Sequence, residues 1–244
     1  FQLTELPRRL AVIGGGPIGA EMAQTFARFG AAVTVFIKDH HFLPKEDRAA
    51  ATVVEQALRR DGVQFICGAD LQQVTLTDTG KTLHYRQQGR SGQLEVDAIL
   101  VSVGRTPNIE GLGLEGAGVA YTAQGVTVGD DLRTSNPRIY AAGDVAVKHQ
   151  FTHMADAATR IVLQNALFPG PRKKLSNLAV PWTTYTDPEI AHVGQYAHEL
   201  DAAGVAYDVF HKSLAEVDRA RTDGETEGFV KVWVKRGTDQ ILGA

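Results

Sequence analysis

The sequence predicts an α/β fold in which a parallel sheet with crossover helices carries a small antiparallel meander, followed by a mainly antiparallel α+β stretch. Two observations lead there. In the first 67 residues, short apolar runs alternate with segments whose apolar residues recur at helical spacing. Strand, helix, strand, helix, strand with short connections implies right-handed crossovers and parallel pairing. Further on, Val74-Thr75-Leu76 and Leu83-His84-Tyr85 switch to a two-residue alternation, the mark of strands with one face open to water.

The elements follow in order. Leu10-Ala11-Val12-Ile13 is wholly apolar and runs into glycines, as a buried parallel strand does. A helix is expected over 20–29 and Gly30 stops it. A second strand covers 33–37. An amphipathic helix covers 45–60, with Val53, Val54, Ala57 and Leu58 inward, and Gly62 leads into a strand over 63–67. The meander is expected over 72–87. A buried run over 97–103 ends at Gly104-Arg105-Thr106-Pro107-Asn108, where proline breaks the element. Loop-rich chain with short strands follows, then Ile139-Tyr140-Ala141-Ala142 enters a Gly143-Asp144 turn and a helix spans 153–167. Pro169-Gly170-Pro171 marks a boundary. Beyond it, strands are expected over 181–185, 208–210 and 229–234, with a short helix over 196–203 and another strand starting at Ile241.

Composition narrows the function. With 244 residues, 43% of them hydrophobic, the chain can fill more than one core. Its 25 basic and 28 acidic residues leave a formal charge of -3, and no basic run is longer than Arg172-Lys173-Lys174, so no nucleic-acid partner is expected. No membrane partner is expected either: no apolar stretch approaches the roughly 20 residues of a membrane span. Phe1-Gln2-Leu3-Thr4-Glu5 lacks the basic start and apolar core of a secretory signal, which makes the cytoplasm the expected location. The single cysteine, Cys67, reads as a buried strand thiol with no redox role, and no metal site is expected.

The chemistry begins at Gly14-Gly15-Gly16-Pro17-Ile18-Gly19. A G-x-G-x-x-G string alone is weak, but here it joins a buried strand to a helix, the context of a Rossmann-type dinucleotide site. Gly14 permits the tight turn, Gly16 lets a pyrophosphate approach the backbone, and Gly19 lets helix and strand pack closely. Pro17 suits a first helical turn, where a missing amide proton is no loss. The end of the second strand selects the dinucleotide. There Ile37 stands where NAD enzymes usually place an acid, and Lys38 follows at a distance suited to a 2'-phosphate, which favours NADP(H). Asp39 leaves NAD open by serving a ribose, Lys38 also reads as an ordinary solvated lysine, and His40 and His41 read as loop histidines or phosphate aids.

A second signature, Thr134-Ser135-Asn136-Pro137-Arg138-Ile139-Tyr140-Ala141-Ala142-Gly143-Asp144, resembles the return to the FAD domain in flavoprotein disulfide reductases, the class I pyridine nucleotide-disulfide oxidoreductases. With residues 14–21, 104–108 and Thr186-Asp187-Pro188-Glu189-Ile190-Ala191-His192-Val193-Gly194, the resemblance covers essentially the whole chain and is strongest to mercuric reductases and dihydrolipoyl dehydrogenases. It implies an FAD/NAD(P)-binding fold with part of an α+β dimerisation domain. The divisions are an NAD(P)-binding domain at 1–107, the returning part of an FAD domain at 108–175, and the first part of an interface domain at 176–244. It further implies hydride transfer from NADPH to FAD and on to a disulfide, dithiol or metal substrate, in a homodimer. The alternatives are an NAD-linked dihydrolipoyl dehydrogenase and a non-catalytic dinucleotide-binding regulatory module.

Residue by residue, the resemblance places Glu21 and Gly104 by the nicotinamide, with Ile18 in the same turn. It places Gly143 and Asp144 at the flavin's ribityl chain, and Thr152-His153-Met154 at a helix start facing the flavin's pyrimidine edge, with His153 acting through its backbone. Two departures accompany it. Pro17 replaces a tyrosine gate found in glutathione reductase relatives, and the resemblance assigns the family's redox-active C-x-x-x-x-C to a front domain ahead of these residues and its H-x-x-x-x-E acid-base pair to residues beyond Ala244. The chain is therefore expected to be a fragment without catalytic residues of its own.

Overall fold

The computed structural model describes residues 3–38, 41–78 and 80–244; Phe1, Gln2, Asp39 and His40, which the readings of the chain start and the ribose site used, lie outside them. Residues divide into two compact units, one made of 1–103 with 183–244 and the other of 104–182.

In the first unit, β1 (Arg9–Ile13), β2 (Ala32–Ile37) and β3 (Gln64–Cys67) are joined by α1 (Pro17–Arg28) and α2 (Arg48–Arg60). A meander of β4 (Ala69–Thr77), β5 (Gly80–Gln87) and β6 (Arg90–Val96) leads to β7 (Ala98–Val101), and the parallel sheet has the order β3-β2-β1-β7. Alternation along the strands splits the core in two. Leu10, Val12, Val33, Val35 and Ile37 pack with Ala20 and Ala23 of α1 and with Ala51, Val54 and Leu58 of α2. Ala11 and Phe36 face the other way and pack with Ala69, Leu83 and Val96 of the meander.

Local chemistry moves several boundaries. α1 starts at Pro17 rather than residue 20, because the glycine turn feeds straight into the helix. α2 starts at Arg48 rather than 45, because the Asp47 carboxylate accepts the Ala49 and Ala50 amides at 2.9 and 3.2 Å and caps the helix there. Val53 is only half-buried, and Ala51 takes the inward position. The run over 97–103 is not buried throughout. β7 is an edge strand, and Val101 and Val103 are 69% and 70% exposed. Cys67 is half-buried, and that burial pushes its thiol up from the ordinary cysteine value.

The second unit contains the short hairpin β8 (Tyr121–Thr122) and β9 (Gly125–Val126), a 3-10 turn at Gly143–Val145, and α3 (Thr152–Leu167). Its core gathers Leu132, Val147, Ala158 and Ile161. β10 (Pro181–Thr184) pairs with β11 (Ile190–Val193). They are followed by α4 (Ala197–Ala202), β12 (Tyr207–Ser213), α5 (Asp218–Asp223), β13 (Phe229–Lys235) and β14 (Ile241–Gly243). The last three strands form an antiparallel sheet in the order β12-β13-β14.

Residues 183–244 pack onto the start of α2 within the first unit. Ile190 joins the helix-side core, the Tyr196 hydroxyl donates to the Glu46 carboxylate, and Lys231 Nζ meets Asp47 Oδ2 at 2.9 Å. His192 is buried, its ring centroid 3.6 Å from that of Tyr196, and its Nε2 donates to the Gly194 carbonyl at 3.1 Å. Burial lowers the His192 pKa, more than the Gly194 carbonyl and the carboxylates of Glu46 and Glu199 raise it.

The neutral imidazole is therefore the form that fits the fold. Its contribution to stability is complete above the unfolded histidine pKa of about 6.5 and is lost as pH falls through the lower folded value. Thermal unfolding at pH 7.5 and 5.5 should show a larger loss of midpoint on acidification for the native chain than for His192→Gln; equal losses would assign the acid sensitivity elsewhere.

Candidate functional site

The glycine turn is built by close backbone contact. Gly14 has φ +113°, and a Cβ there would sit 2.5 Å from the Ser102 carbonyl oxygen. Its amide donates to the Phe36 carbonyl at 2.9 Å, which ties the turn to β2. A Cβ on Gly19 would overlap the Gly14 carbonyl oxygen and lie 2.8 Å from Ser102 Oγ. Ser102 holds the underside: its hydroxyl donates to the Ile13 carbonyl at 3.0 Å and to the Gly14 carbonyl at 3.3 Å. Ser102 escaped sequence reasoning; the one signal was a small polar residue closing an apolar run.

Gly16 differs from the other two. A Cβ there would meet nothing within 4 Å, so its surface is open. It is also the N-cap of α1, has an extended backbone, and the helix has no side-chain cap. Open space beside uncapped first-turn amides, at the positive end of the helix dipole, fits a phosphate group. Pro17 is the first helical residue, and Ile18 is 46% exposed beside it.

Glu21 sits half-buried one turn further along, and its Oε1 accepts the Tyr185 amide at 3.0 Å. Lys38 is exposed where β2 ends. Ile37, just before it, is 4% exposed, and its Cγ1 lies 2.9 Å from where a Gly15 Cβ would be. Ile37 is thus committed to the core.

The flavin-type signature lies in the second unit. Gly143 (φ +77°) opens the 3-10 turn, and the half-exposed Asp144 follows it. Asp144 Oδ2 is 3.4 Å from Arg105 Nη1, which donates to the Gln150 carbonyl at 2.6 Å. Gln150 Nε2 donates back to the Asp144 carbonyl at 3.3 Å, so one small network joins the loop after Gly104, the Gly143 turn and the approach to α3. Arg105 lies inside the Gly104–Asn108 motif, where nothing in the sequence sets it apart from an ordinary loop arginine.

At the start of α3, Thr152 and His153 are exposed, Met154 is 2% exposed, and the helix has no side-chain cap. Met154 therefore has only its backbone to offer a ligand. His153 Nε2 donates to the Pro181 carbonyl at 2.8 Å, and its ring stacks on Phe151 with centroids 5.3 Å apart. Among the described residues no group of three His, Cys, Asp or Glu could hold a metal ion, and no helix is long and apolar enough to cross a membrane.

Residues 1–159 match the protein family described as pyridine nucleotide-disulphide oxidoreductase. The chain belongs to that family. Residues 180–244 match the dimerisation domain of the pyridine nucleotide-disulphide oxidoreductases. A mercuric reductase of Streptomyces lividans is 35% identical over 245 residues, covering 100% of this chain and 51% of the relative. A dihydrolipoyl dehydrogenase of Cupriavidus necator is 35% identical, covering 98% of this chain and 50% of the relative. Among solved structures, the HOCl-induced flavoprotein disulfide reductase RclA from Escherichia coli superimposes with a TM-score of 0.89 at 32% identity, over 99% of this chain and 55% of that one. The chain spans about half the length of the curated relatives it matches. Flavin and a nicotinamide dinucleotide are the cofactors of pyridine nucleotide-disulphide oxidoreductases in general.

The glycine contacts separate a packed glycine from an open one. Gly19→Ala should lower the thermal midpoint by about 2 °C or more, since its Cβ meets backbone and costs upwards of about 1 kcal/mol. Gly16→Ala, whose Cβ enters open space, should leave the midpoint within about a degree in the same calorimetric scan. Equal losses would contradict this division.

Proposed function

We propose that residues 14–19 bind the pyrophosphate of a nicotinamide dinucleotide, NADP(H) in preference to NAD(H), and that the chain positions this dinucleotide and a flavin within a mercuric reductase-like enzyme. The observation that carries the reading is the open face of Gly16 at the uncapped start of α1, above a turn packed too tightly to collapse into that space. In such an enzyme the dinucleotide supplies a hydride and the flavin passes its electrons to a disulfide, dithiol or metal substrate.

The residues of this chain bind and orient. Amides at the start of α1, beside Gly16, Pro17, Ile18 and Gly19, face the pyrophosphate, where the helix dipole favours negative charge. Lys38 pairs with the 2'-phosphate, a role its exposed place at the end of β2 supports. Ile37, committed to the core, offers no acceptor to the ribose hydroxyls. Glu21, anchored by the Tyr185 amide, faces the nicotinamide carboxamide, and Gly104 lets the backbone pass close to the nicotinamide half.

On the flavin side, Asp144 accepts from ribityl hydroxyls, with Gly143 shaping its turn and Arg105 holding it. The amides of Thr152, His153 and Met154 stabilise negative charge at the flavin's pyrimidine edge. His153 serves through its backbone, in keeping with the commitment of Nε2 to Pro181. The same proposal divides the chain at 107 and 175, makes the parent enzyme a cytoplasmic homodimer through the strands beyond Pro181, and leaves catalytic side chains to segments other than these. An NAD-linked dihydrolipoyl dehydrogenase is the second reading, favoured by the name of the Cupriavidus necator relative.

Fluorescence titration of the native chain should show tighter binding of NADPH than of NADH. Lys38→Glu should reverse that order, with NADPH affinity down about tenfold, the equivalent of about 1.4 kcal/mol. Tighter NADH binding by the native chain would overturn the NADP assignment and favour the second reading.

A further inference from the structure

The buried face of α1 consists of Gly19, Ala20, Ala23 and Gln24. Three of these are too small to interdigitate with the sheet, so apolar packing alone resists sliding or rotation of the helix only weakly. Gln24 is the exception in size and polarity. At 4% exposure it uses both sides of its amide: Nε2 donates to the Asp187 carbonyl at 2.8 Å and to Asp61 Oδ2 at 2.9 Å, and Oε1 accepts the Asp187 amide at 2.8 Å.

Its neighbours along the same side of the helix meet the same turn. Glu21 takes the Tyr185 amide at 3.0 Å, while Arg28 reaches Asp187 Oδ2 at 2.7 Å and Asp61 Oδ2 at 2.9 Å. Positions 21, 24 and 28 are spaced as one helical stripe, and one turn answers all three, with the backbone of Tyr185 and Asp187 for the first two and the Asp187 carboxylate for Arg28. Asp61, which follows α2, joins two of them, so the stripe is tied to both of its neighbours.

We propose that the segment 184–188 is a clamp that sets the register of α1, with Gln24 as its central positioning residue, and that the amides of the Gly14–Gly19 turn are thereby held at the angle a phosphate requires. The inference rests on the dinucleotide reading above and goes beyond it, because it makes affinity depend on residues about 160 positions away that touch no ligand. The three bonds of Gln24 are not equal to the ion pairs of Arg28. The Arg28 side chain is 45% exposed, and such pairs are screened and contribute little. Removing the amide of Gln24, itself buried, takes a partner from both the Asp187 N–H and C=O at a partly buried contact, a larger penalty. Gln24 stands five residues from Gly19, about 7.5 Å along the axis, so a shift at one end passes directly to the other.

The test compares the native 244-residue chain with Gln24→Leu, with Asp61→Ala as a milder cut of the same clamp, and with Leu200→Ala as a control that opens a cavity at a fully buried position in α4. Two quantities are read at 15 °C, well below unfolding: the dissociation constant for NADPH and the hydrogen-exchange rate of amides 14–21. Gln24→Leu should weaken NADPH binding about tenfold and Asp61→Ala about threefold, the equivalents of about 1.4 and 0.65 kcal/mol. Both should speed exchange at 14–21. Leu200→Ala should lower the thermal midpoint yet leave both quantities at native values. Native-like affinity and exchange in Gln24→Leu would overturn the clamp, as would an equal loss of affinity in Leu200→Ala. A native chain that binds neither NADPH nor NADH would instead overturn the dinucleotide reading, and the exchange rates alone would then decide the clamp.

Discussion

Gly19 approaches the Gly14 carbonyl so closely that no side chain fits between them, and Ser102 closes the same space from below with its hydroxyl and its backbone. This contact brings the chain just after β1, the start of α1 and the residue after β7 to one point. It explains why α1 leaves the sheet at once, with Gly16 as its cap and Pro17 as its first residue. It also explains why the first-turn amides point into open space: the backbone below them cannot relax upward, and no side chain is in place to cap them. The proposed phosphate site would thus follow from packing, with the charge supplied by the helix itself.

The segment 183–244 extends that constraint. It carries the sequence of a dimerisation domain, yet within the first unit it serves as a brace for the nucleotide helices. Lys231 and Tyr196 hold the carboxylates of Asp47 and Glu46 at the entry to α2, and the turn at Asp187 holds α1. Burial alone would raise the Asp47 carboxyl, but the Lys231 ammonium and the two capping amides bring it below the ordinary aspartate value. It stays charged near neutrality, able to cap α2 and pair with Lys231 at once. A segment that matches a dimerisation domain therefore also holds α1 and the start of α2 in place.

The parts of this design that were legible in the sequence are those set by neighbours in the chain. An apolar strand, three glycines and a helix define a turn within ten residues, and the two-residue alternation at 74–76 and 83–85 announced the meander. The parts that were not legible depend on distant partners. β6 was missed because Arg90-Ser91-Gly92-Gln93-Leu94-Glu95-Val96 is too polar to read as a strand until β5 pairs with it. Val101 and Val103 read as core because they are apolar, whereas exposure depends on β7 being the sheet's edge. Gln24 read as one more residue of an amphipathic helix. Its partners lie at positions 61 and 187, and no local pattern connects them. β11 and α5 are short elements whose residues carry no strong periodicity of their own.

The central claim is that the uncapped, tightly underpinned start of α1 is where this chain meets a dinucleotide. An amide-resolved NMR titration of the 15N-labelled chain with NADPH tests it most directly. Saturable shifts are expected to concentrate at the amides of residues 14–21 and at Lys38, with the meander strands unmoved. Saturable shifts confined to other residues, or a spectrum unchanged at millimolar NADPH, would contradict it.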